Sequence, residues 1–326
     1  MSFNGNLSQN NIQIIDPVLT KLLVGYKPAN FILDELFTRV PVDTTFGRIP
    51  KFTGTQLKLE SAVYLSAGNI PTITVNATST DTFEVKNHLL KSYYSNTDAQ
   101  QFGGVSSVEG IWNFMLADNL MIARERAAAA VLCDPAVITQ TSAPSVKWSD
   151  YAASDPLSDF KTARDGVMTG CGMEANTVVM SWDVYNTLIS HPAIVKVAIG
   201  FAVDASFAGT LNKQQLAKAM GVERVLVGKA RYNSAELGQT QVLSAIWTAA
   251  TCIFCYINPS ITPNMAQQSL GYSFVPSNAV VGYETYAYTE PEPMTQAWMG
   301  KWVIQGRMYD DNILDTKAAY LFTASV

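Results

Sequence analysis

Hydrophobic and polar positions along this chain change period several times, and each change marks an element. The longest regular stretch places Val108, Ile111, Trp112, Met115, Asn119 and Ile122 three and four residues apart, the spacing of one helix face. It runs on through Arg124-Glu-Arg-Ala-Ala-Ala-Ala-Val-Leu132 and stops before Asp134-Pro135. Ser106 and Glu109 have capping-box spacing, in which a hydroxyl accepts from a backbone N–H and the glutamate reaches back. These signals predict a helix over about 106–133, a rod of roughly 40 Å at about 1.5 Å per residue.

Upstream, Phe31 to Val42 reads as a short amphipathic helix ended before Pro41. Phe46 to Phe52 predicts a strand, and Thr82 to Leu89 alternates polar and apolar residues with the period of a second one. The stretch between them, rich in Thr, Ser, Gly and Asn, makes the pair a long hairpin, and a loop of that length is functional or disordered. Residues 1 to about 30 cannot bury themselves and predict an arm that lies on something else.

Downstream the chain alternates as a β/α lobe. Residues 135–160 are loop-like, and Leu157 to Thr169 predicts a helix ended by Gly170 and Gly172. A strand over Asn176–Ser181 and a helix over Trp182–Ser190 follow, before His191-Pro192. The helix Lys213–Met220 closes on Gly221, where a left-handed cap favours glycine. Further strands are predicted over Glu223–Gly228, Ser244–Asn258, Met299–Asp310 and Ala318–Thr323.

Composition changes this picture in one respect. The 326 residues can build one large or two ordinary domains, and 48% hydrophobic content excludes disorder. Charged residues are only 15%, against about 25% in an average soluble protein. Such a shortage predicts that other copies of the protein cover much of the surface. The net charge of −5 excludes a basic nucleic-acid reader. The N-terminus lacks the basic start and apolar core of a secretory signal. The longest apolar run, Ala245 to Ile257, falls short of the roughly 20 residues of a membrane span. An intracellular product with no membrane partner is expected.

The chemistry-bearing residues assemble no motif. His88 and His191 have no Cys, Ser or carboxylate at catalytic spacing. Of four cysteines only Cys252 and Cys255 form a CxxC, and on a strand those two point to opposite faces, so buried structural thiols are expected. Gly221 to Lys229 is too strand-like for a phosphate loop and has Ala230 where a hydroxyl is required. Asp310-Asp311 reads as a solvated turn, and Lys51 and Lys58 as exposed hairpin residues. The tryptophans at 112, 148, 182, 247, 298 and 302 are spread as core and interface anchors. No catalytic, cofactor-binding or metal-ligating residue is assigned, no cofactor is expected, and the chain is not read as an enzyme.

Taken in order, an arm, a long hairpin, a strut helix, an α/β lobe and returning strands make an unusual succession. With Leu216-Ala-Lys-Ala-Met-Gly-Val-Glu-Arg-Val-Leu-Val-Gly-Lys-Ala-Arg-Tyr232, the chain resembles the major capsid proteins of tailed bacteriophages, the Hong Kong 97-type fold. That stretch is similar to the family's helix, gly-val-x-x-val-x-val-gly and Ala-x-Tyr. The likeness continues through Trp247, Tyr256-Ile-Asn-Pro259, Asn176 to Pro192, Gly306 to Asp310 and Ala319 to Phe322.

The resemblance implies an α+β fold with an N-terminal arm (1–45) and an extended β-hairpin loop (46–95). A peripheral domain (96–160, closing strands 291–326) would hold the long spine helix, and an α/β axial domain would span 161–290. It implies a coat protein that self-assembles into pentamers and hexamers, an icosahedral shell enclosing double-stranded phage DNA without sequence-specific binding. The location implied is the virion capsid, and the host cytoplasm during assembly. Some family members begin with a cleaved scaffold region, whereas this chain starts at the arm. A separate scaffold protein, or loss of that region, is therefore implied, with a portal and a possible cement protein as further partners. Some members form Lys–Asn cross-links; no residue pattern identifies an Asn partner for Lys51 or Lys58, so none is expected. The alternatives are an encapsulin-type compartment, which shares the fold, and an oligomeric α/β enzyme.

Overall fold

The computed structural model describes residues 31–51, 79–101, 104–199, 211–236, 238–259, 268–277, 284–291 and 300–326. The arm expected before residue 31 and the hairpin tip, with Lys58 and Trp298, lie outside the described residues.

The chain opens with the one-turn helix α1 (Leu33–Leu36) and strands β1 (Thr38–Val42), β2 (Phe46–Lys51), β3 (Ser79–Glu84) and β4 (Lys86–Ser95). Helices α2 (Asn96–Gln101) and α3 (Val105–Leu132) follow, then β5 (Thr141–Ser142), α4 (Pro156–Cys171), β6 (Thr177–Ser181), α5 (Trp182–Ile189), α6 (Pro192–Ile199) and α7 (Lys213–Met220). The remainder is β7 (Arg224–Gly228), β8 (Arg231–Asn233), β9 (Leu243–Ala245), β10 (Cys252–Cys255), β11 (Gly271–Pro276), β12 (Thr285–Pro291), β13 (Gly300–Ile313) and β14 (Ala319–Phe322).

The described residues form two compact units. One comprises 86–121 and 276–309, the other 31–85, 122–275 and 310–326. In the first unit β13 is the central strand, with β12 and β4 antiparallel on either side. The core of this unit joins Tyr94 and Val303 from the sheet to Val108 and Leu116 of α3, with Trp112 packed against them. Ile111 and Met115, which share the three-and-four spacing, are exposed instead. Two interleaved series cannot both face one sheet from a helix of 3.6 residues per turn.

In the second unit a five-stranded sheet runs β5-β14-β10-β6-β7. The β6–β7 and β14–β5 pairs are parallel, whereas β10 is antiparallel to both its neighbours. Phe254 and Phe322 on this sheet meet Phe160 of α4 and the fully buried Trp148 edge-on or tilted, at centroid distances of 5.3–6.1 Å. Such aromatic pairs add to simple area burial.

Local signals fix the helices of this lobe. Asp155 caps α4 by accepting from the Ser158 N–H, Pro156 occupies its first turn, and Gly172 ends it at φ 73°. Asn212 and Gln215 form a reciprocal capping box on α7, which Gly221 closes at φ 70°. Helix α3 begins at Val105, one residue before Ser106. Its Glu109 accepts from the Tyr94 hydroxyl at 2.6 Å, and the Ser106 side chain of the expected capping box lies outside the described residues.

One helix and two strand expectations are corrected. The helix expected over Phe31–Val42 ends after one turn at Phe37, whose backbone is extended, and β1 takes up the Thr38–Val42 run. Thr82–Leu89 is divided at Val85 between β3, paired with β2, and β4, paired with β13. Ser244–Asn258 is broken at Ala250, which sits at φ 66°. The Ala250 carbonyl accepts from both the amide and the hydroxyl of Ser325, at 3.1 and 2.8 Å.

Candidate assembly surfaces

Arg124 and Glu125 are consecutive on α3, and both are buried in the second unit. The Arg124 guanidinium donates from Nε and Nη2 to the two carboxylate oxygens of Asp311, each at 2.7 Å. Nη1 donates to Asp34 of α1 at 2.7 Å, and Nη2 also reaches the Ser273 hydroxyl of β11 at 2.9 Å. The planar fork matches a carboxylate with two parallel bonds, which an ammonium cannot do. Burial pulls the Arg124 pKa down, but Asp311 and Asp34 outweigh it and leave it raised. Glu125 accepts from the Ile32 and Leu33 amides at 3.2 and 3.1 Å and from the Trp247 indole at 2.8 Å. Burial pushes its carboxyl up, and these donors offset only part of that. Together the pair fastens the segment before β1 to the strands β11 and β13. The sequence reading took Arg124-Glu125 as a continuation of the helix. Its one signal was the charged triplet Arg124-Glu-Arg126 ahead of a run of alanine and apolar residues.

Correction extends to Asp310-Asp311, which is neither a solvated turn nor a cation site. Both lie within β13, Asp311 holding Arg124 and Asp310 accepting from the Glu84 amide at 2.9 Å.

Each unit presents apolar side chains to its surroundings. In the first unit these are Ile111 and Met115 (58% exposed) on α3, and Leu89 and Tyr93 on β4. Tyr93 lies beside its cross-strand partner Trp302, with ring centroids 5.3 Å apart, and the Lys91 ammonium lies over the indole at 4.5 Å. In the second unit Phe46 is 59% exposed at the start of the β2–β3 pair, and Val242 and Leu243 are exposed beside the β8–β9 pair. Each of those pairs is a two-stranded sheet, a structure marginal by itself in water.

No protein-family model matches the chain. It is 24% identical over 231 residues to the major capsid protein of Burkholderia phage BcepMu, spanning 70% of this chain and 72% of that one. The major capsid protein of Pseudomonas phage JBD67 is 25% identical over 237 residues, spanning 72% and 74%. Among solved structures, a phage-related protein from Bordetella bronchiseptica superposes with a TM-score of 0.70 at 18% identity, over 96% of this chain and 98% of its own. The capsid of cyanophage P-SCSP1u gives 0.56 at 12% identity, over 91% and 89%. The chain has the Hong Kong 97-type capsid fold.

Within this capsid fold the residues with catalytic chemistry make the following contacts. His88 stacks on Tyr309, centroids 4.3 Å apart. Cys252 and Cys255 are buried free thiols on β10, and burial raises both, Cys255 to about 12. A thiol so raised stays protonated and is a poor nucleophile. Gly221 caps a helix and Gly228 ends β7, while Lys229 lies over the Trp182 ring at 4.3 Å. Among the described residues no group of three or more His, Cys, Asp or Glu is placed to hold a metal, and no helix is long and apolar enough to cross a membrane.

The capsid fold does bring one serine to a histidine that the sequence kept apart: Ser154 Oγ is 3.0 Å from His191 Nε2. The bond directions are not those of an activated nucleophile. His191 Nδ1 accepts from the Ala193 amide at 3.2 Å, which leaves Nε2 as the nitrogen carrying hydrogen. The Ser154 hydroxyl meanwhile donates to the Asp150 carbonyl at 2.5 Å. The imidazole therefore has no free lone pair with which to activate the serine.

Burial holds the His191 pKa below 6.5, with Asp155 opposing in part. An unfolded chain then binds this proton before the folded one does, so the stability involved is complete above about pH 6.5 and falls as pH drops below it. We expect thermal melts to move to lower temperature between pH 7.5 and 5.5, with at most a tenfold change in unfolding constant per pH unit from this group. His191→Gln should flatten that dependence. An unchanged slope in the variant would assign it to other groups.

Proposed function

We propose that this chain is the major coat protein of a tailed phage and assembles with copies of itself into the shell that encloses the phage's double-stranded DNA. The observation that carries this reading is the pairing of a capsid fold over nearly the whole chain with two relatives named major capsid protein. The low charge content supports it, because exposed Phe46, Met115 and Leu243 gain free energy only when another chain covers them. Obligate contacts of that kind bury roughly 2,000–5,000 Å².

In this reading residues 1–45 are the arm and 46–95 the extended loop. Residues 96–160 and 291–326 form the peripheral domain around the spine helix, and 161–290 the axial domain of pentamers and hexamers. A separate scaffold protein, a portal and a possible cement protein would be its partners, with assembly in the host cytoplasm before the protein takes its place in the virion capsid. The encapsulin alternative is less supported, since both curated relatives are named as phage coat proteins. An enzymatic reading finds no support in those names.

Electron microscopy of the purified full chain, coupled to light-scattering mass, tests the proposal. Closed shells, tubes or pentamer and hexamer rings are expected. A particle that stays monomeric or dimeric even with candidate scaffold proteins overturns it. Phe46→Asp should leave the melting temperature within about 2 °C, as an exposed substitution does, and should sharply lower the yield of shells. Normal shell yield from that variant would remove Phe46 from the contact surface.

A further inference from the structure

Glu125 joins α3 to the root of the N-terminal segment through backbone donors, and its two oxygens are not equivalent. Oε1 accepts two hydrogen bonds, from the Ile32 amide at 3.2 Å and the Trp247 indole at 2.8 Å. Oε2 accepts one, from the Leu33 amide at 3.1 Å. The residue is 1% exposed, so water is not at hand to replace a lost partner. An ionised carboxylate is acceptor-only, whereas a protonated one carries a hydrogen on one oxygen. Protonation at Oε2 keeps both bonds to Oε1, removes the charge that strengthens the bond from the Leu33 N–H, and adds an O–H among partners that are all donors. The Leu33 amide is then held only by a weaker, neutral acceptor, and the new hydroxyl is a buried donor with no acceptor among these partners, an arrangement that protein interiors avoid.

We propose that Glu125 is a proton-controlled latch on the segment Ile32–Phe37, holding it against α3 when ionised and loosening it when protonated. The inference concerns a single chain and stands independently of the coat-protein reading. Burial favours the protonated form, so the loosening belongs to mildly acidic conditions.

The surrounding charges are few. Arg124 on the same helix favours the ionised form but is shared with Asp34 and Asp311. From α1 and β1 come Asp34 and Glu35, with Arg39 paired to Asp34 at 3.2 Å. From β7, Arg224 reaches the Glu35 carbonyl at 3.3 Å. The stretch around Trp247, residues 246–258, contains no Asp, Glu, Lys or Arg. Ile32, Leu33, Leu36 and Phe37 are buried in the main core, so the loosening is expected to free the Leu33 amide locally while the rest of the lobe remains folded.

Hydrogen exchange of the full chain, followed by mass spectrometry from pH 7 to pH 4.5 and corrected for intrinsic rates, tests this. Protection of peptides covering 32–37 should fall by up to tenfold per pH unit once Glu125 takes its proton, while β6 and β10 keep theirs. Glu125→Gln, which retains an acceptor oxygen and cannot titrate, should abolish the dependence, and Asp34→Asn should preserve it. Constant protection in the unmodified chain, a slope that survives Glu125→Gln, or one removed by Asp34→Asn overturns the proposal. Should Glu125→Gln not fold, the unmodified chain and Asp34→Asn still decide.

Discussion

Replacing Arg124 with alanine is expected to lower the unfolding free energy by about 3–5 kcal/mol, the range for removing one partner of a buried ion pair. The guanidinium is 3% exposed and satisfies two carboxylates and a serine hydroxyl at once. Its loss strands Asp311, whose side chain is 12% exposed and whose described ion pair is with Arg124. Asp34 is better placed to survive, since it reaches solvent and Arg39. Thermal unfolding should fall by about 10 °C, at a few degrees per kcal/mol for a lobe of this size. Arg124→Lys should recover little, because a point charge cannot make the two-oxygen contact with Asp311. Adding Asp311→Leu to Arg124→Met should regain at least half the loss by removing the stranded charge along with its partner. A drop below about 1 kcal/mol in the alanine variant, a value typical of exposed pairs, would show that these contacts do not hold the segment.

Trp247→Ala is expected to cost a similar amount by a different route, about 3–5 kcal/mol for a large aromatic deleted from a packed core. The indole is 1% exposed and fills the space over Gly228, where any side chain would collide with it. It also supplies one of the three donors to Glu125. Trp247→Phe separates the two contributions: it keeps most of the ring volume and deletes the N–H, which should cost about 1–3 kcal/mol. Chemical denaturation of the three proteins checks the order. If the phenylalanine variant matches the original, the indole acts through volume alone.

Both positions show where a linear reading ends. Helices α4 and α7 were legible in part because their stop signals are local, Gly172 for one and Gly221 for the other, whereas the N-caps Asp155, Ser181 and Asn212 emerged only in the structure. The length of α3 was legible from its period. Its buried side was not, because Val108-Trp112-Leu116 and Ile111-Met115 fit the spacing equally and only the sheet chooses between them. The candidate surfaces were legible only as a shortage of charge, with no residue attached.

By itself the sequence determined the longer helical segments, the glycine stops after α4 and α7, and an order of elements that resembles a coat protein. Helix caps and periodicity are local interactions, complete within one or two turns. Tertiary structure decided which strand pairs with which, dividing Thr82–Leu89 at Val85 and Ser244–Asn258 at Ala250. It also turned an acidic pair into a structural anchor, since Arg124 and Asp311 stand 187 positions apart. A carboxylate's role depends on the charge that folding brings beside it, and nothing within its neighbouring residues encodes that partner.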